Sequence, residues 1–77
     1  MGYRYIYDKH GNVKAMIDED DYTAVVIDVH KGVVGSVIKG KNGTRAIAIS
    51  NKKGIVGSAD RDDDAIGLLL NDDDDED

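Results

Sequence analysis

Thr23–Ser36 reads TAVVIDVHKGVVGS, and Arg45–Ser58, 22 positions further on, reads RAIAISNKKGIVGS. Seven of the fourteen aligned positions are identical: Ala24/Ala46, Ile27/Ile49, Lys31/Lys53, Gly32/Gly54, Val34/Val56, Gly35/Gly57 and Ser36/Ser58. Val25/Ile47 and Val33/Ile55 differ conservatively. An identity of this density marks an internal duplication, and the repeated unit sets the fold. Each copy is two β-branched runs around a basic turn that ends in Gly, which is the pattern of a β-hairpin.

A fainter first copy precedes them at Tyr3–Ile17, YRYIYDKHGNVKAMI, with Ile6, Gly11 and Val13 at the equivalent places. Within it, YDKHGNV resembles the hairpin motif of YD-repeat shell proteins, from which no function is carried. Six strands follow: Tyr3–Tyr7, Val13–Ile17, Ala24–Val29, Val33–Lys39, Arg45–Ser50 and Ile55–Ser58. The turns Lys9-His10-Gly11, His30-Lys31-Gly32 and Lys52-Lys53-Gly54 use Gly for the positive φ that closes a type I turn with a bulge. Parity sets Val25, Ile27 and Val29 on one face, with Ile47 and Ile49 equivalent in the next copy. The expected fold class is mainly β: an antiparallel meander of three hairpin repeats, either an open sheet backed by a partner or a small barrel.

After Ser58 the pattern breaks. Asp62–Asp64 suit the first turn of a helix, where carboxylates meet the positive end of the dipole, and Ile66, Leu69 and Leu70 then share a face. A seventh strand over Ala65–Leu70 is the alternative. The expected organisation is one domain over 1–71, with hairpins near 3–22, 23–44 and 45–66, and a disordered acidic tail over 72–77.

Seventy-seven residues make a single small domain that buries too little surface to be secure without a staple. Cys is absent, so disulfides and thiolate metal sites are excluded and no cofactor is indicated. Self-association is the staple left, and a homodimer is expected. No apolar run reaches the length of a membrane span, and MGYRYIYD lacks a signal-peptide core, so a cytoplasmic protein is expected.

Charge is segregated along the chain. Residues 60–77 hold ten carboxylates and one Arg, a net of −9; the other 59 hold nine Lys/Arg and six Asp/Glu, a net of +3, which together give the formal −6. Fields of this kind select partners and set association rates. The candidate partner-binding residues are Asp60, Asp62, Asp63 and Asp64, with Asp18, Glu19, Asp20 and Asp21 as a second cluster. Asp72, Asp73, Asp74 and Asp75 belong to the tail, whose extended spacing approaches the charge density of one DNA strand. A solubilising tail is the ordinary alternative. The meander sends all three basic turns to one sheet end and Asp18–Asp21 and Asp60–Asp64 to the other.

Other chemistries fit less well. Asp60, Asp62 and Asp64 match the first, third and fifth positions of an EF-hand loop, but Ala65 stands where Gly is required and Asn71 where a bidentate Glu is required. The basic turns lack Trp or Phe beside them for nucleic-acid stacking, and Lys in exposed turns ordinarily serves solubility. No Gly-x-Ser-x-Gly, P-loop or HExxH motif occurs, so no enzyme is indicated.

In size, in lack of Cys and Pro, in hairpin economy and in clustered aspartates, the chain resembles the small acidic host-takeover proteins of bacteriophages that act as DNA mimics. It is similar in style to the Bacillus-phage inhibitor of the nucleoid protein HU. The resemblance rests on charge architecture alone, and the span Val29–Ala59, with six Lys/Arg and no carboxylate, departs from a uniformly acidic mimic. It implies a DNA-mimic inhibitor that meets a basic DNA-binding protein such as HU through an anionic face. An acidic adaptor of another host machine such as RNA polymerase, or a basic-turn nucleic-acid binder regulated by its tail, are the alternatives.

Overall fold

A computed structural model describes residues 2–74. Six strands form one antiparallel sheet in chain order: β1 Gly2–Tyr7, β2 Val13–Glu19, β3 Thr23–Asp28, β4 Gly32–Ile38, β5 Ala46–Ser50 and β6 Gly54–Ala59. The sheet is open, and one helix, α1 at Asp62–Asp74, packs across β3 to β6 on one side. Helix wins over strand for 65–70 because Ala65, Ile66, Leu69 and Leu70 make one stripe that is buried against the sheet. The backbone helix runs on to Asp74, so Asp72–Asp74 continue α1 where a disordered tail is expected. The docked stripe fixes the helical frame, and the added residues extend it. Asp75–Asp77 lie outside the described residues.

The duplication is visible in three dimensions. Gly11, Gly32 and Gly54 adopt φ of 85°, 82° and 78°, and each hairpin carries a register shift close behind its turn. The shifts at Val26/Ile27 and Ala48/Ile49 are equivalent in the two copies, which leaves Val34 and Val56 as the extra residues. Both of these valines pack against the core. The turns are held from the strand before them. Asp8 Oδ1 accepts from the backbone N–H of His10 (2.8 Å) and Asn12 (3.0 Å), and Asp28 Oδ1 from His30 (2.8 Å) and Lys31 (3.0 Å). Ser50 Oγ does the same for Lys52 (3.1 Å) and Lys53 (3.2 Å). The two aspartates beside the histidines therefore close turns through the backbone.

The two faces of the sheet differ in side-chain size. On the side of α1 lie Ala15, Ala24, Ala46, Ala48, Gly35 and Gly57, with Ile17, Val26 and Val37 as the larger sheet members of the core; the helix itself reaches β3 to β6. Val25, Ile27, Ile47 and Ile49 occupy the opposite face, where no other described element covers them. Val29 falls just past β3, in the turn, and is exposed. No described helix is long and apolar enough to cross a membrane.

Candidate functional site

The connections β2–β3, β4–β5 and β6–α1 meet at the sheet end opposite the basic turns. Asp20 shapes the first of them. Its Oδ1 accepts from the backbone N–H of Tyr22 (2.8 Å) and Thr23 (2.9 Å), bonds that hold its carboxyl below the usual aspartate range. The Tyr22 ring lies 4.2 Å from Lys41 Nζ, which joins this turn to the β4–β5 loop. Asp62 ties the same loop to the start of α1, because the Gly40 N–H donates to its Oδ1 (3.1 Å).

Basic side chains thread between the acidic segments. Arg4, on β1, bonds both Glu19 and Asp63 (2.9 Å to the latter), so residues 44 apart in sequence share one guanidinium. Lys39 reaches Glu19 at 2.9 Å, Arg45 reaches Asp60 at 2.5 Å and Arg61 reaches Asp64 at 3.4 Å. Bonding to Asp63 and then to Glu19 raises the Arg4 pKa against the pull of desolvation. Eight carboxylates (Asp18–Asp21, Asp60, Asp62–Asp64) face five cations (Arg4, Lys39, Lys41, Arg45, Arg61) here, a net of −3. The end is anionic, and much of its charge is compensated within the chain.

Glu19 is sheltered, with its side chain 18% exposed. Lys39, and after it Arg4, lower its pKa below the ordinary glutamate value, outweighing desolvation. A depressed carboxylate stabilises the fold above its unfolded pKa, and that contribution fades as pH falls through the folded one. Thermal melts should therefore weaken below about pH 4.5, near the ordinary glutamate pKa. Glu19→Gln should lower stability at pH 7 and flatten this part of the profile. An unchanged profile in the variant would remove Glu19 from the acid response.

The structure brings together Asp18–Asp21 and Asp60–Asp64, but in different roles. Asp60, Asp63 and Asp64 are exposed beside their cations, and Asp21 is exposed in its turn. Asp20 and Asp62 bond backbone and position the loops, while Asp18 sits on the uncovered sheet face between Tyr3 and Val25. Asp72–Asp74 lie elsewhere. Helix α1 starts beside Gly40, and Leu69 comes to rest over Gly35, which pairs with Ser50 at the basic-turn end. The helix thus runs toward the basic-turn end of the sheet, away from Asp18–Asp21 and Asp60–Asp64. Sequence reasoning overlooked Arg4 and Lys39 as organisers of the site, and Asp8, Asp28 and Ser50 as turn caps. An Asp or Ser three or four residues before a turn Gly was the signal for the caps; contacts as remote as Arg4–Asp63 have none.

Among the described residues no three His, Asp or Glu side chains are grouped so as to hold a metal ion. Of the EF-hand-like aspartates, Asp62 accepts from Gly40 while Asp60 and Asp64 pair with arginines. No family model, curated protein or solved structure matches the chain.

Proposed function

We propose that the protein is a binding protein whose anionic end engages a basic DNA-binding protein of the nucleoid type, HU among the candidates, and keeps DNA from it. The supporting observation is the convergence of two acidic segments, distant in sequence, on one end of the sheet. Their ion pairs do not bar this role. Exposed pairs are worth about 0–1 kcal/mol each, so incoming Lys or Arg side chains can take the place of Arg45 or Arg61. Association is then fast and weakens as salt rises.

The test is the triple variant Asp21→Lys, Asp60→Lys, Asp64→Lys, which leaves Asp20 and Asp62 to hold the loops. Binding to a purified HU-type protein, read by calorimetry, should fall at least about tenfold, as expected for lost charge pairs across an interface. The far-ultraviolet circular dichroism should stay unchanged. Unaltered affinity in the variant would remove the anionic end as the contact surface.

The partial neutralisation by Arg4 and Lys39 favours a second reading, an acidic adaptor that docks by shape on another machine such as RNA polymerase. DNA competition separates the two. A mimic displaces DNA in proportion to occupancy, whereas an adaptor leaves DNA bound.

A further inference from the structure

We infer that the uncovered face of the sheet is the contact surface between two copies of this chain, stacked face to face. The first observation is the distribution of side-chain size. An antiparallel sheet with one solvated face ordinarily alternates apolar with polar residues. Here the side that α1 covers holds Ala and Gly beside Ile17, Val26 and Val37, and the uncovered side carries Val25, Ile27, Ile47 and Ile49 with Tyr3 and Tyr5. Ile38 and Ile47 are directly paired there, as are Ile49 and Ile55, and Ile55 is 71% exposed, Val33 51% and Ile38 45%. A surface this apolar is the mark of a contact that the isolated chain leaves unmade.

The area suffices for a dimer. Six strands about 4.8 Å apart, with roughly six residues of 3.3 Å each, outline a face near 550 Å² in projection. Stacking two such faces removes about 1,100 Å² from water, above the roughly 1,000 Å² that a specific interface needs. Sheets pack in this way about 10 Å apart, with their inner side chains interdigitated.

The charges choose the occupant. Asp18 and Arg45 lie at the acidic end of this face, the latter bonded to Ser58 Oγ and paired with Asp60. The ladder pairs that join Val25, Ser36, Ile49 and Ile55, and Ile27 with Val33, carry no charge, so no row of cations runs along the face to hold a phosphate backbone. A second copy is apolar where this one is apolar. The sheet is also dipolar along its strands, with the basic turns at one end and Asp18–Asp21 and Asp60–Asp64 at the other. A two-fold axis perpendicular to the strands sets each basic end against the partner's acidic end. The aspartates at the start of α1 are on the helix side and stay outside the interface, one set at each end of the dimer.

Light scattering on the full chain should give twice the 8.3 kDa chain mass, with a melting temperature that rises with protein concentration. Ile38→Lys places a charge at a position already 45% exposed in the single chain. It should keep the circular dichroism of the fold and raise the dimer dissociation constant about 100-fold, as a charge set into an apolar contact does. Should that variant fail to fold, Ser36→Cys supplies an independent test. Ser36 sits at the middle of the face between Val25 and Ile49, and the natural chain has no Cys. A short bis-maleimide should join Ser36→Cys chains into dimers and leave Asp64→Cys chains, labelled on the helix side, single. A monomer at every concentration overturns the inference. So does a full dimer in Ile38→Lys, or cross-linking at Asp64→Cys without Ser36→Cys. A monomer whose tyrosine fluorescence is quenched by single-stranded DNA gives the face to nucleic acid and overturns it equally. None of these measurements involves the cationic partner, so their outcome is separate from that of the charge-reversal variant.

Discussion

A chain stopped after Ala59 should not fold, whereas one stopped after Asn71 should keep its sheet and melt cooperatively. The difference lies in Ala65, Ile66, Leu69 and Leu70, which are at most 6% exposed and belong to the same core cluster as Ile17, Val26 and Val37. Burying a large aliphatic side chain contributes about 1.5–3 kcal/mol, so the three large ones together contribute about 5–9 kcal/mol. A domain of this size has only about 5 kcal/mol to lose. Removing residues 72–77 leaves Ala65, Ile66, Leu69 and Leu70 in place, and it relieves carboxylates at the negative end of the helix dipole. Urea titrations followed by circular dichroism distinguish the two truncations. A cooperative transition in the shorter chain would show that the sheet does not need its helix.

Gly35→Ala should destabilise the protein by about 2–4 kcal/mol, although it adds one methyl group. That methyl would run into the Ile49 carbonyl oxygen, lie 3.1 Å from the Ser50 Cα and stand 3.0 Å from Leu69 Cδ2. The first two are backbone of the neighbouring strand, so relief requires moving β5 or lifting α1 from the sheet. Gly67→Ala is the matched control. Nothing lies within 4 Å of the new methyl there, and Ala is favoured over Gly inside a helix by about 1 kcal/mol. One substitution should lower the urea midpoint and the other raise it. Equal effects would mean that the close approach of β4, β5 and α1 does not limit stability.

The strands and their order were legible because the chain states them twice: Thr23–Ser36 and Arg45–Ser58 align without gaps, and their glycines mark the turns. The start of α1 was legible from Asp62–Asp64, since acids ahead of an apolar stripe suit the positive end of a helix. The side of the sheet that α1 would cover was not legible. Parity separates Val25, Ile27, Ile47 and Ile49 from Ala24, Val26, Ala46 and Ala48, and by hydrophobicity the first row looks the better core. A helix crossing close to the sheet needs the smaller row, and closeness is a tertiary property. The acidic end was legible as a cluster of charges. Its internal pairing was not, because Arg4 meets Asp63 only once all six strands and the helix are in place.

The placement of α1 after all six strands also bears on how the fold is reached. Each strand pairs with its immediate successor, so hairpins can form locally and quickly as the chain leaves the ribosome. The cover over the first face is made only after the strands it covers. Until Leu69 and Leu70 emerge, a nascent chain displays both apolar surfaces of its sheet at once, the condition in which unfinished proteins aggregate or recruit chaperones. The step that commits the chain to one layered molecule thus waits until all six strands are made, and a pause in translation between β6 and α1 prolongs its most exposed state.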